Sequence, residues 1–258
     1  MLAAVLAGQW KGQGMNEERD LEGLSALVTG ATSGIGRAAA HELGRHGAQV
    51  VVHGRDGARG AEVVDRITAE GGKARFAAAD LGNPAQLDDL AEQVGTVDIL
   101  VNNAGISWFG PTAQLDVATF ERLFTANVRA PYFLVGALAP KMVARGGGSI
   151  VNIGSMAGQV GMPGGAAYGA TKAALAAMTR AWAAEFSPDG VRVNTIAAGP
   201  VYTAIQSPEQ AEAVGATTIM ARVAQPVEIA DVIVFLASPK ASYITGAIFA
   251  ADGGRTAI

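Results

Sequence analysis

The chain has 258 residues, half of them hydrophobic and 16% charged, with a formal net charge of −4. That is apolar material for one large buried core, and it excludes a disordered chain. No run of Lys or Arg could neutralise a row of phosphates, which argues against nucleic acid as a partner. Cysteine is absent, so disulfides, thiolate metal sites and a cysteine nucleophile are out of consideration.

In chain order, residues 1–7 are apolar but lack a basic leader and are far too short to span a bilayer. Met15 stands just before a charged stretch and is a candidate natural start; residues 1–20 read as a flexible extension and 21–258 as a single domain. Strands are expected at 25–29, 49–53, 74–79, 98–101, 149–154, 191–196 and 247–251. Helices are expected at 36–46, 57–70, 84–93, 117–144, 166–186 and 226–237. Most of these strands are apolar throughout instead of alternating, as in a parallel sheet covered on both faces. Strand–helix alternation of this kind predicts an α/β, doubly wound, seven-stranded parallel sheet flanked by helices. The stretch 203–222 has no strong periodicity and reads as a lid or substrate loop. His41, His46 and His53 are spaced for neither a zinc site nor a triad and read as solvated or helix-face side chains. No apolar run reaches membrane-spanning length, so a soluble, cytoplasmic protein is expected.

The first strand runs into Gly30-Ala31-Thr32-Ser33-Gly34-Ile35-Gly36, and a helix follows at once. Glycines there permit a tight turn and remove the Cβ atoms that would hold a diphosphate off the backbone N–H groups; the helix N-terminus adds a positive dipole end. This is the arrangement of a Rossmann-type dinucleotide site. In such folds an acid at the end of the second strand binds the ribose 2′-hydroxyl of NAD, whereas Arg accommodates the 2′-phosphate of NADP. Here Gly54 takes the acid's place and Arg55 follows, which favours NADP(H); Asp56 lies one residue on and keeps NAD(H) open. Asp80 and Leu81 after the third strand, and Asn103, Ala104 and Gly105 after the fourth, suit the adenine side, although each also suits an ordinary turn.

Tyr168 and Lys172 are four apart in a helical run and share one face. Ser155 ends a buried strand, and Asn127 lies within the helical stretch 117–144. With TGxxxGIG, the NNAG turn, YxxxK, Gly199-Pro200-Val201-Tyr202-Thr203 and the tail Tyr243-Ile244-Thr245-Gly246 … Asp252-Gly253-Gly254, residues 24–254 resemble the short-chain dehydrogenase/reductase family, in its 3-oxoacyl and ketoreductase-like branch. The resemblance implies that Tyr168 is the general acid or base toward a carbonyl or alcohol, Ser155 orients that oxygen, and Lys172 grips the nicotinamide ribose. It implies for Asn127 a water held in a proton relay through the lysine. Lowering a tyrosine from ~10 to ~7 requires about 4 kcal/mol of preference for the phenolate, which Lys172 and the oxidised nicotinamide are expected to supply. Gly199, Val201 and Thr203 are implied as nicotinamide contacts. Two positions depart from the common pattern: Ala198-Gly199 replaces Pro-Gly, and Ser33 stands where NADP-preferring relatives often carry Arg or Lys.

The substrate side is expected to draw on Ser155, Trp108, Met156, Gln159, Met162, Tyr202 and Ile205, a mostly apolar set. It suits a hydrophobic ketone or acyl chain, with a carbonyl reductase, a 3-oxoacyl-thioester reductase and a sugar or polyol dehydrogenase all open. Arg129 and Arg180 are candidate contacts for an acyl carrier, too few to form a patch. A non-catalytic nucleotide sensor is the reading from another class; such relatives lose Tyr or Lys of the YxxxK pair, and this chain keeps both. The resemblance further implies a homotetramer built through 166–186 and 235–254, acting on small molecules.

Overall fold

The computed structural model describes residues 19–203 and 207–258. Seven parallel strands form one sheet: β1 (Ser25–Val28), β2 (Gln49–Gly54), β3 (Lys73–Ala78), β4 (Ile99–Asn102), β5 (Gly148–Ile153), β6 (Val191–Ala198) and β7 (Ile248–Ala251). They run side by side in the order β3-β2-β1-β4-β5-β6-β7. Chain order reverses between β1 and β4, and the crevice at the carboxyl ends of those strands is where open α/β sheets take ligands.

Every expected strand is present; the inner strands are apolar and almost wholly buried, whereas the edge strands β3 and β7 are half-buried or exposed. Successive residues of one strand feed opposite layers. Val28, Val50, Val52 and Val101 pack with helices α1 (Gly34–Arg45) and α2 (Gly57–Ala69) on one side. Leu27, Val51, Leu100 and Ile150 pack on the other, against α3 (Pro84–Val94) and the helices described next. Burying each such side chain is worth roughly 1.5–3 kcal/mol. Asp56 caps α2 by accepting from the Arg59 N–H at 3.2 Å, and Asn83 caps α3.

The helix expected over 117–144 divides into α4 (Val117–Phe124), a π-helical turn (Thr125–Arg129) and α5 (Ala130–Ala144). Pro131 is the reason. It has no N–H for the carbonyl of Asn127 four residues back, and the ladder slips to wider spacing, with the Ala130 N–H on the Thr125 carbonyl. Helix α6 (Ala166–Phe186) follows β5 as expected. The stretch 203–222 contains a short helix that periodicity did not disclose, α7 (Pro208–Gly215), started by the Ser207–Gln210 capping box. Helix α8 (Pro226–Ala237) completes the α1 layer, with Ile229 and Ile233 buried. The expected extension 1–20 lies outside the described residues as far as residue 18. No helix among the described residues is long and apolar enough to cross a membrane.

Candidate active site

The glycine-rich turn begins with Gly30 at φ +63° and passes Gly34 at φ +52°, both in the left-handed region that favours glycine. Gly36 serves a different purpose. It is buried, and a methyl there would run into the Gly30 carbonyl and the Asn103 side chain, so it lets α1 pack against the turn. Asn103 stitches the two together: its Nδ2 donates to the carbonyls of Thr29 (2.9 Å) and Gly30 (3.2 Å). The Thr29 hydroxyl accepts from the N–H groups of Asn103 and Ala104, each at 3.0 Å. The NNAG turn therefore holds β4 to the nucleotide loop. Its first residue, Asn102, turns inward and donates to Asn152 at 2.9 Å.

His53 departs from expectation. It is 3% exposed, and its ring joins three strand ends. Nδ1 accepts from the Gly30 N–H at 3.2 Å, and Nε2 lies 3.2 Å from the Ala79 carbonyl. Burial holds its pKa down at about 4. The two partners require the neutral tautomer with the proton on Nε2. Of the other two histidines, His41 Nε2 lies 2.6 Å from a Glu70 carboxylate oxygen.

Two adjoining cavities open over the carboxyl ends of the strands. The larger, about 330 Å³, is bounded by the glycine-rich turn, by His53, Gly54, Arg55 and Arg59, and by Asp80 to Gly82. The smaller, about 150 Å³, is bounded by Ser155, Tyr168, Lys172 and the turn from Gly199 to Thr203; Ile35, Asn103, Gly105, Ile106 and Thr203 line both. Of the expected nucleotide-binding residues, all but Gly36 line one cavity or the other. A methyl on Gly54 would strike Thr32 and fill part of this cradle. The carboxylate of Asp56 is committed to the α2 cap, whereas Arg55 and Arg59 stand on the rim of the larger cavity. Asp80 accepts from the Gly82 N–H at 2.9 Å, an ordinary turn contact.

Tyr168 and Lys172 project from the first turns of α6, and Ser155 leaves the end of β5 facing them. Ser155 and Tyr168 both line the smaller cavity, and the Ser155 hydroxyl favours the Tyr168 phenolate. The Ser155 oxygen also accepts from the Ala157 N–H at 3.2 Å, which fixes its rotamer. Lys172 is 7% exposed and donates to the Ile153 carbonyl at 2.9 Å. Its nitrogen lies 5.8 Å from the centre of the Tyr168 ring. Burial lowers the Lys172 pKa to about 8, still cationic at neutral pH. In the chain alone, burial pushes the Tyr168 phenol up and the neighbouring Ser155 hydroxyl only partly opposes this; the expected lowering also draws on the oxidised nicotinamide.

The π-helical turn carries Asn127 behind the pair. Its Oδ1 accepts from the Ile106 N–H at 2.9 Å, while Nδ2 donates to the Ile106 carbonyl at 2.8 Å and to the Thr171 hydroxyl at 3.0 Å. Thr171 in turn donates to the Tyr168 carbonyl at 2.7 Å. Both ends of the Asn127 amide are thus committed to protein, so the side chain acts as a clamp between the NNAG turn and α6.

On the substrate side, Met156 and Met162 line the smaller cavity as expected. Trp108 does not; it faces an outer groove formed by α4 and the start of α6. The Tyr202 hydroxyl points to Glu212 of α7 at 3.5 Å, and Gln159 is exposed. Ile205 lies outside the described residues. The sequence reading missed Phe109, whose ring packs on Tyr168 with centroids 5.4 Å apart, and Ile106 and Val214, which also line the cavity. Phe109 is one residue from Trp108 in a loop without periodicity, and no local signal separates the two. Arg129 is exposed and donates to the Gly82 carbonyl.

A dinucleotide cleft meeting a Ser–Tyr–Lys constellation defines a class of hydride-transferring enzymes, and comparison with known proteins is specific on this point. Residues 30–256 match the family model described as enoyl-(acyl carrier protein) reductase. Galactitol 2-dehydrogenase (L-tagatose-forming) of Cereibacter sphaeroides is 41% identical over 248 residues, 92% of this chain and 96% of that protein. A solved short chain dehydrogenase/reductase family protein is 51% identical with a TM-score of 0.86, covering 93% of this chain and all of that one. The structure of angucycline C-6 ketoreductase LanV with bound NADP is 36% identical with a TM-score of 0.86, covering 93% and 98%. The chain belongs to the short-chain dehydrogenase/reductase family. It is an NAD(P)(H)-dependent oxidoreductase that interconverts a secondary alcohol and a ketone.

Proposed function

We propose that the chain is an NADP(H)-preferring carbonyl reductase for an apolar ketone. The observation that carries this reading is the wall of the smaller cavity: beside Ser155 and Tyr168 stand Ile106, Phe109, Met156, Met162 and Val214, with Ser107 as a polar side chain among them. A polyol presents a hydroxyl on nearly every carbon, and each would lose its water there without a partner. Sugar oxidation, the activity named for the Cereibacter sphaeroides relative, is therefore the less favoured reading. A carrier-bound 3-oxoacyl substrate also suits the apolar wall, but Arg129 and Arg180 are too few to form a basic patch for the carrier. Arg55 and Arg59 on the rim, with Asp56 withdrawn into a helix cap, support the phosphate-bearing cofactor.

In this reading the bound cofactor supplies the hydride. The chain's own residues handle the oxygen. The Ser155 hydroxyl and the Tyr168 phenol converge on the carbonyl, and the phenol gives up its proton as the alcohol forms. A phenol raised by burial is protonated at neutral pH, the state a proton donor for reduction requires. Lys172⁺, held by the Ile153 carbonyl, stabilises the phenolate left behind. The Asn127–Thr171 clamp fixes the helix turn from which Tyr168 projects.

The test is to follow nicotinamide absorbance with NADPH and NADH in parallel against cyclic and aryl ketones, a 3-oxoacyl thioester and, in reverse, polyols. NADPH-driven ketone reduction is expected; preferential polyol oxidation with NAD would overturn the reading. Tyr168→Phe is expected to cut turnover about 10²–10⁴-fold with NADPH binding retained, and equal turnover in the variant would remove Tyr168 from the chemistry. We also propose a homotetramer, supported by the exposed Val117, Phe120, Tyr132 and Phe133 on α4 and α5 and by the apolar groove that α4 shares with the Ala-rich start of α6.

A further inference from the structure

His53 stands apart from this chemistry. It sits on β2, outside the reacting centre, and resembles no part of the nucleotide motif. Yet it lines the larger cavity and is the point at which the two halves of that cavity meet. Toward β1, its Nδ1 takes the N–H of Gly30, the left-handed residue that opens the glycine-rich turn. Toward β3, its Nε2–H is directed at the carbonyl of Ala79, immediately before Asp80 and Leu81. Its own backbone carbonyl accepts from the Ala31 N–H at 2.8 Å. A single buried ring therefore sets the spacing between the loop that faces the diphosphate and the loop that faces the adenine.

We infer that His53 is a positioning residue for cofactor binding, acting as a neutral, tautomer-locked strut that holds the Gly30 N–H and, through it, the glycine-rich turn. The inference rests on the larger cavity being the adenosine end of the cofactor site. It concerns binding alone, so it stands or falls separately from the choice of ketone or polyol. The physical argument is one of satisfaction. The Gly30 N–H is half-buried and is satisfied by the His53 ring; without that acceptor the turn must shift to reach water. The left-handed φ of Gly30 then has no partner to hold it, and the N–H groups downstream lose their common aim.

Two near-isosteres divide the ring's functions. Asn at this position offers an amide oxygen where Nδ1 stands, and Gln offers an amide N–H where Nε2 stands. The experiment is a fluorescence titration of NADPH into His53→Asn, His53→Gln and His53→Ala, each with its melting temperature. His53→Asn is expected to bind within about threefold of wild type. His53→Gln and His53→Ala are expected to bind about tenfold more weakly, the loss of one buried bond. The inference is overturned if His53→Gln binds as tightly as wild type, or if all three variants weaken binding equally. Should the variants fail to fold, nitrogen-15 NMR of the histidines in the wild-type protein decides. A fixed Nε2–H tautomer whose Nδ1 resonance shifts on adding NADPH supports the strut. An Nδ1–H tautomer, a ring titrating near the free value, or an Nδ1 resonance that NADPH leaves unmoved overturns it.

Discussion

Lys172, proposed to stabilise the phenolate, works against the fold that holds it. Its ammonium is nearly enclosed, and burial alone lowers its pKa to about 8. For a base depressed in the folded state, folding is penalised wherever the group is charged in both states. Relief comes only as pH rises from about 8 toward the unfolded value of 10.5. At neutral pH the full penalty applies, on the order of 3 kcal/mol, less about 1 kcal/mol returned by the bond to the Ile153 carbonyl. Lys172→Met is therefore expected to abolish turnover and to raise the melting temperature, measured by calorimetry at pH 7; a fall in melting temperature would contradict the penalty. His53 follows the same sign with a different window. It is neutral in the fold, with Arg55 and Asp80 as the charges acting on it. Its stabilising contribution is complete above the unfolded value of 6.5 and is lost as pH falls toward about 4. Wild-type stability is expected to decline across that window by up to about 3 kcal/mol, and denaturant titrations of His53→Asn at the same pH values should show a shallower decline.

At the scale of single elements, Pro131 is the informative case. It is the missing donor that opens the π-helical turn, and the turn brings Asn127 to Ile106 and Thr171. Pro131→Ala restores an N–H and lets the α-helical ladder close, which favours a regular helix and rotates Asn127 from its partners. Turnover is expected to fall at least tenfold while the melting temperature holds or rises, since a helix-interior proline costs about 3 kcal/mol. Undiminished turnover would show that the turn is not what positions Asn127. The elements also show which local signals suffice. Uniformly apolar strands were legible because the pattern lies within a few consecutive residues, whereas the caps at Asp56 and Asn83 emerged only with the structure. The slip at Asn127 was legible in principle, from Pro131 four residues on, but a helical pattern by itself conceals it.

For the molecule as a whole, the face carrying Val117, Phe120, Tyr132 and Phe133 is the counterpart of the cores. Its side chains are as apolar as buried ones yet face outward in a single chain. Phe120→Asp places a charge at the centre of that surface and is expected to convert the assembly to a smaller species by light scattering. An unchanged mass would move the interface elsewhere. The sequence by itself determined the doubly wound sheet and the nucleotide turn, because apolar strands and a glycine-rich turn are set by residues close together in the chain. Asn127, Ser155, Tyr168 and Lys172 were singled out by the family resemblance, and the fold brings them together at one end of the sheet. Only the tertiary structure decided that His53 is buried between strand ends and not a solvated side chain, because its partners are 23 and 26 residues away in the chain. It also decided that Phe109, and not Trp108 or Tyr202, packs on Tyr168 and lines the cavity. Loop side chains have no period to mark their direction, and which way each one turns follows from what the packed sheet and helices leave open.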